Sequence, residues 1–347
     1  MKYVTLGRSD LNVSELCLGS MSWGSNSTAE TGHAQIDRSL AAGVNFIDTA
    51  EMYPTYPVAA ETVGNSERII GDWFAKSGRR SDVIIATKVS GPNGGFVREG
   101  KGYDGPTILE AVENSLQRLQ TDVIDLYQLH WPVRGSYHFR QYWGFDPSPQ
   151  NTADVRAHML EVLEAMQKLV EAGKVRHFGL SNETTWGTAQ WLRLSEENNL
   201  PRMISMQNEY SLLCRIADTD MAELCHHEDV GMLPFTPMAA GLLSGKYGPD
   251  TIPEGTRRAK EPTLGGRITE RLWPAVDAYR AVAAKHGLDP NQMALAWTLT
   301  RPFVASSIFG ATNDAQLDLA LGASDLVLSE EVMADIATTH KAHPMPF

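Results

Sequence analysis

Eight short apolar runs, each followed by a stretch of helical periodicity, predict an α/β fold: a closed (β/α)8 TIM barrel in one domain over residues 1–347. Two further observations support this. No Pro/Gly/Ser-rich linker divides the 347 residues, and a hairpin pattern precedes the first run, as a plug for the bottom of the barrel. A doubly wound open sheet is the alternative reading of the same alternation.

The hairpin is expected from residues 1–5 and 11–13, joined through Gly7, Arg8, Ser9 and Asp10. Barrel strands follow at 15–18, 45–48, 83–88, 123–130, 175–181, 203–207, 230–235 and 304–309. Each is β-branched or Leu-rich with little polar alternation, as strands buried on both faces require. Helices are expected near 29–42, 66–77, 184–198, 216–227, 269–286 and 313–322. Pro106 opens another, carrying Ile108, Val112, Leu116 and Leu119. Met159, Leu163, Met166 and Val170 repeat at helical spacing before Gly173 stops them, and Gly43 stops the first helix in the same way. Three connections are long, about 89–105, 131–152 and 236–268, and long ordered loops are usually functional. The first is Gly-rich. The second carries Tyr137, His138, Phe139, Tyr142, Trp143 and Phe145; the third carries Lys246, Arg257, Arg258, Lys260 and Arg267. They read as an aromatic wall and a basic cover for one site.

The composition, 42% hydrophobic and 21% charged, argues against disorder or fibre. A net charge of −12 disfavours a nucleic-acid partner. Cys17, Cys214 and Cys225 lack the close pairs of a disulfide framework or a zinc site, so no metal is expected. The first ten residues hold no apolar signal core, and no apolar run reaches the ~18 residues of a membrane span. A cytoplasmic location with no membrane partner is the expectation. Oligomeric state is not legible here, and a homo-oligomer is compatible with the sequence.

In such a barrel the chemistry lies at the C-terminal ends of the strands. Those ends read Gly19-Ser20, Asp48, Lys88, His130, Ser181-Asn182, Gln207, Phe235-Thr236 and Gly310. A carboxylate, an ammonium and an imidazole beside an apolar core are costly unless paired. Tyr53 leaves the same rim five residues after Asp48. A phenol near an ammonium has its charged form favoured, so Lys88 is expected to lower the Tyr53 pKa, with Asp48 holding Lys88. The result would be a proton donor near neutral pH, with His130 donating a hydrogen bond to a carbonyl oxygen. This set suits reduction of a carbonyl by a hydride-carrying cofactor.

The residues that carry this pattern also carry a resemblance. The stretches GVNFIDTAEMY (43–53), IIATK (84–88), LQTDVIDLYQLH (119–130), GKVRHFGLSN (173–182), QNEY (207–210) and GLLSGKY (241–247) are similar to those of the aldo-keto reductase superfamily, in the bacterial Tas-type branch near the potassium-channel β-subunits. The resemblance implies catalytic Asp48, Tyr53, Lys88 and His130, and NADPH/NADP+ as cofactor. It implies that Ser181, Asn182 and Gln207 hold the nicotinamide carboxamide and that Phe235 stacks on the ring. Thr236, Pro237, Met238, Gly241, Ser244 and Lys246 would cover the pyrophosphate. Arg257 would lie near the adenosine phosphate, Gly310, Thr312 and Gln316 around the 2′-phosphate, and Ser20 and Met21 after the first strand. Leu319 and Ala320 depart from the channel-subunit pattern, and Pro54 from the Gly of many members. The partner implied is a small-molecule carbonyl, bulky or xenobiotic, reduced reversibly. The channel subunits supply a second reading, a cofactor-binding regulatory or assembly subunit with little turnover.

Rim logic adds Trp23, Tyr56, Trp131 and Trp143 as substrate-pocket candidates. Gly100, Gly102 and Gly105 spell a dinucleotide-binding G-x-G-x-x-G, but about eleven residues separate them from Lys88 instead of a tight strand–helix turn, so they read as loop punctuation. His226 and His227 are neighbours on a helix and point ~100° apart, which suits solvated side chains better than ligands.

Overall fold

The computed structural model describes residues 1–347. Strands β1 (Tyr3–Thr5) and β2 (Asn12–Ser14) pair antiparallel as the expected hairpin. Eight parallel strands follow: β3 (Leu16–Gly19), β4 (Phe46–Asp48), β5 (Ile84–Val89), β6 (Ile124–Leu129), β7 (Val175–Ser181), β8 (Met203–Gln207), β9 (Gly231–Met232) and β10 (Ser307–Phe309). Their order is β10-β3-β4-β5-β6-β7-β8-β9. Two backbone bonds of 2.8 Å, from Ala305 N to Met232 O and from Ile308 N to Pro234 O, join β9 to the segment of β10 and close the ring.

Helices α1 (Ala29–Ala41), α2 (Asn65–Ser77), α3 (Gly105–Leu119), α4 (Thr152–Glu171), α5 (Thr185–Asn198) and α6 (Asp220–Glu228) follow β3 to β8 in turn. Their starts are set locally. Asp104 accepts from Thr107 N with Pro106 in the first turn, and Asn151 accepts from Ala153 N and Asp154 N. After β9 come the short α7 (Arg257–Lys260), then α8 (Leu272–Lys285) and α9 (Pro290–Leu299); α10 (Asp314–Leu321) and α11 (Glu330–Ala342) follow β10. No helix is long and apolar enough to cross a membrane.

Besides the single-turn α7, two helices escaped the sequence reading, each for a physical reason. In α9, residues 293 to 298 are all buried, so no 3.6-residue stripe exists to detect. In α11 only Val332 and Ile336 are buried, too few to form one. The seventh strand is shorter than 230–235, because Pro234 has no N–H to continue a ladder.

The hairpin fills the barrel floor. Leu6, Leu11 and Val13 pack with Cys17, Phe46, Ala86, Leu126, Ile204, Leu233 and Ile308 in one buried cluster. Side chains two residues apart share a strand face. Phe46 is therefore followed upward by Asp48, Ala86 by Lys88, and Leu126 by Gln128. An apolar layer thus supports a polar one directly above it.

Candidate active site

Lys88 is fully buried at the end of β5, and its ammonium finds three oxygens: Asp48 Oδ2 at 2.6 Å, Thr49 O at 2.7 Å and the Tyr53 hydroxyl at 3.5 Å. Asp48 Oδ1 accepts from Gln207 Nε2 at 2.8 Å and Gln128 Nε2 at 3.2 Å, and Gln207 Nε2 also donates to Gln128 Oε1 at 3.1 Å. The carboxylate is thus satisfied on both oxygens, as a buried charge must be. His130 completes the group, its ring edge-on to Tyr53 with centroids 5.7 Å apart. The four residues expected from the strand ends are together.

Burial works against the Lys88 ammonium, but Asp48 and Tyr53 outweigh it and hold the group above its ordinary value. Burial pushes the Tyr53 phenol above its ordinary value; Lys88 opposes this and does not overcome it. The expectation of a lowered Tyr53 pKa is therefore corrected for the protein alone, because desolvation of a phenolate in the closed rim exceeds the attraction of an ammonium already paired with Asp48. Tyr53 stays a protonated phenol at neutral pH. For His130, burial first and Lys88 second hold the ring well below its ordinary value, so it is neutral. Its Nδ1 is buried without a partner. An unpaired acceptor is cheaper to bury than an unpaired N–H, which assigns the proton to Nε2.

Beside the tetrad, Asn182 takes a left-handed φ of 50°, which Asn tolerates better than most residues. Its Nδ2 donates to His130 O at 2.9 Å and Ser181 Oγ at 3.1 Å, while Ser181 Oγ donates to Gln207 O at 2.8 Å. Asn182 Oδ1 and Ser20 Oγ are buried and unpartnered. A primary amide supplies the donors and acceptor these orphans lack, so the residues fit a nicotinamide carboxamide. Both Gln207 amide protons are spent on Asp48 and Gln128, leaving its oxygen for a ligand. Phe235 stands half-buried against the barrel interior.

Along the third long loop, Thr236, Ala239, Ala240, Gly241 and Gly245 all have positive φ. Such turns aim backbone N–H groups into a concavity suited to anions. Pro237 and Met238 lie within it. Ser244 Oγ donates to Gly241 O at 2.7 Å, and a Cβ on Gly241 would lie 3.2 Å from Lys246 Nζ, so Gly241 admits the ammonium. Thr312 N and Oγ1 both donate to Gln316 Oε1, at 2.9 and 3.0 Å, past Gly310 on the β10 side. Arg257 lies with its guanidinium 3.8 Å from the centre of the Tyr56 ring and donates to its hydroxyl. A residue expected on the cofactor and one expected on the substrate are thus in contact, and the loop reaches across the mouth to meet the one after β4.

The pocket candidates separate. Trp131 lies beside His130, ring centroids 4.7 Å apart, and Met21 packs against the cluster that holds Tyr53. Trp23 is fully buried, donates to Gln35 Oε1 at 3.0 Å and lies against Gly32, so it is core behind the rim and not pocket lining. Trp143 is 58% exposed, under Arg271 and beside Tyr142.

Sequence reading missed Gln128, although it lies two residues before His130 on the same strand face and parity could have found it. It also missed Glu209, which accepts from Arg140 at 2.8 Å and Arg267 at 2.7 Å and so ties the second long loop to the third. Burial works against the Glu209 carboxylate, yet the two guanidinium groups hold it below its ordinary value. Nothing in the spacing of 140, 209 and 267 signals this meeting.

Residues 15–341 match the family model described as Aldo/keto reductase family. The chain belongs to the aldo/keto reductase family. It is 41% identical to Protein tas of Escherichia coli over 100% of this chain and 99% of that one. It is 32% identical to the uncharacterized oxidoreductase YrpG of Bacillus subtilis, over 96% and 94%. Identity is 28% to a probable voltage-gated potassium channel subunit beta of Oryza sativa, over 99% and 98%. Family and oxidoreductase-named relatives support an oxidoreductase acting in carbonyl reduction generally.

A neutral buried His130 has a consequence for stability. Its folded pKa is depressed, so below about 6.5 only the unfolded chain takes the proton and the folded state loses stability. Denaturant unfolding at pH 7.5 and 5 should show the native chain losing stability relative to His130→Gln as pH falls. An equal pH dependence in both would mean that His130 titrates normally in the fold.

Proposed function

We propose that the chain reduces aldehydes or ketones to alcohols, reversibly, with NADPH as the hydride source. The observation that carries the reading is the buried Lys88–Asp48 pair with the Tyr53 hydroxyl 3.5 Å from the ammonium. When bound, NADPH supplies the hydride to the carbonyl carbon. Negative charge then develops on the carbonyl oxygen and must be met as it forms. His130 Nε2–H donates a hydrogen bond to that oxygen and orients it. Tyr53 donates the proton. The phenolate left behind lies beside Lys88, whose charge stabilises it, and Asp48 keeps Lys88 in place through the exchange. In alcohol oxidation the same phenolate takes the proton back.

Ser20, Ser181, Asn182 and the Gln207 oxygen would hold the carboxamide, the turn at 236–245 with Lys246 the pyrophosphate, and Arg257, Thr312 and Gln316 the adenosine 2′-phosphate. Tyr56 and Trp131, with the exposed Trp143 farther out, would form an aromatic mouth for a bulky or xenobiotic carbonyl. The potassium-channel subunit relative supplies the second reading, a regulatory subunit with little turnover. The complete tetrad geometry favours the enzyme.

Tyr53→Phe should lower kcat for carbonyl reduction by ~10²–10⁴-fold, the range of general acid catalysis. NADPH affinity, read by fluorescence titration, should be unchanged. Near-full turnover with a good carbonyl substrate would assign the proton to another group. A chain that binds NADPH and turns over no member of a broad carbonyl panel would support the regulatory reading.

Arg257→Ala should weaken NADPH much more than NADH. A charge-assisted hydrogen bond to phosphate is worth about 1.5–3 kcal/mol, or roughly 10–150-fold in Kd. Equal loss for both cofactors would confine Arg257 to its contact with Tyr56 or to the shared diphosphate.

A further inference from the structure

Between Asp48 and Tyr53 the chain makes a tight turn, with Glu51 N donating to Lys88 O at 3.1 Å and Tyr53 N to Ala50 O at 3.0 Å. Glu51 itself is buried and is no member of the tetrad. Its carboxylate meets Arg98 from the first long loop in a two-pronged pair, Nη1 to Oε2 and Nη2 to Oε1, both 2.7 Å. Glu51 Oε1 also accepts from Ser90 N at 2.6 Å, two residues beyond Lys88. Arg98 is fixed in turn, donating to Ser90 O at 3.0 Å and Gly102 O at 3.1 Å. The loop bends to bring it there: Arg98, Glu99 and Gly100 have φ of 46°, 53° and 85°. Two of these are non-glycine residues in the left-handed region, a conformation that persists only where its surroundings hold it.

The same loop reaches both hydrogen-bonding groups of the site. Val97, next to Arg98, packs with Ala50, Met52 and Tyr53. Pro92 O accepts from Trp131 Nε1 at 2.9 Å, and Tyr103 donates to Trp131 O at 3.2 Å, so the residue after His130 is anchored there as well.

We propose that Glu51 and Arg98 are positioning residues that hold the 49–53 turn with the Tyr53 hydroxyl facing Lys88 and the carbonyl site. The inference rests on the reading of Tyr53 as proton donor. A bidentate guanidinium–carboxylate pair fixes direction as well as distance, and a misplacement of about 1 Å can cost ~10²-fold in rate. Glu51 acts through geometry and not through its field on the phenol. The groups with the largest effect on Tyr53 are Lys88, Asp48 and Tyr56, and the Glu51 charge is matched by the Arg98 guanidinium at 2.7 Å.

The test compares Arg98→Met, Arg98→Lys, Glu51→Gln and the double variant Glu51→Gln/Arg98→Met with the native chain and Tyr53→Phe. It reads kcat against pH with one carbonyl substrate, NADPH affinity by fluorescence, and thermal stability. Every variant except Tyr53→Phe carries a fluorinated tyrosine at position 53, which brings the phenol's titration into the range where the protein is folded. Reduction needs the protonated phenol, so the alkaline limb of kcat reports its titration. Arg98→Met should lower kcat ~10–100-fold with NADPH affinity unchanged. It should also move the alkaline limb, because a displaced phenol loses part of its stabilisation by Lys88 and part of the burial that opposes it. Arg98→Lys, which keeps one contact, should recover part of both, and the double variant should fall no further than Arg98→Met. An Arg98→Met protein with native kcat, or with reduced kcat and an unmoved limb, overturns the positioning role. If Arg98→Met does not fold, Arg98→Lys decides on the same limb. Full turnover in Tyr53→Phe would instead remove the donor assignment, and the positioning role with it.

Discussion

The site depends on a lysine ammonium with no access to water. Lys88 is fully buried, and the effective penalty for drying an ion of that size is still several kcal/mol after relaxation. Asp48 at 2.6 Å repays much of it, Thr49 O and the Tyr53 hydroxyl take the remaining donors, and Gln128 and Gln207 satisfy the far oxygen of Asp48. Removing one partner of such a pair typically costs about 3–5 kcal/mol, because the other charge is left buried alone. This arrangement of charge and amides couples three things: the protonation of Tyr53, the orientation of the Gln207 amide, and the integrity of the barrel's upper layer.

That upper layer is held by what lies beneath and around it. The hairpin plugs the floor with Leu6, Leu11 and Val13, so the polar side chains above them stand on a dry base and not a water-filled pore. Around the rim, buried ion pairs do the joining that backbone ladders cannot. Glu51–Arg98 ties the first long loop to the turn that carries Tyr53. Glu209 with Arg140 and Arg267 ties the second loop to the third. Arg134–Glu183 fixes the second to the end of β7. The Glu51–Arg98 and Glu183–Arg134 pairs are two-pronged and fix direction as well as distance, which suits loops that must present groups within a fraction of an ångström.

The strands and the polar residues that close them were legible because a parallel barrel writes itself as apolar runs, and a charged residue that closes such a run stands out. Asp48, Lys88 and His130 were readable for that reason, and Tyr53 by its place just past the rim. The direction of the Tyr53 shift was not readable, because it depends on a balance between burial and one ammonium that only packing decides. Trp23 looked like pocket lining from its position after β3, yet Gly32 opens a slot that draws it into the core. Helix α9 hid because it is buried all round, and the pairs at Glu51 and Glu209 hid because their partners lie far away in sequence.

Lys88 favours the charged form of Tyr53 against the burial that opposes it. A fluorinated tyrosine placed at position 53 brings the phenol's titration into the range where the protein is folded, and its ¹⁹F shift can be followed against pH with Lys88 present and in Lys88→Met. Lys88→Met should move this titration to higher pH. A titration that is unmoved, or that moves to lower pH, would contradict it.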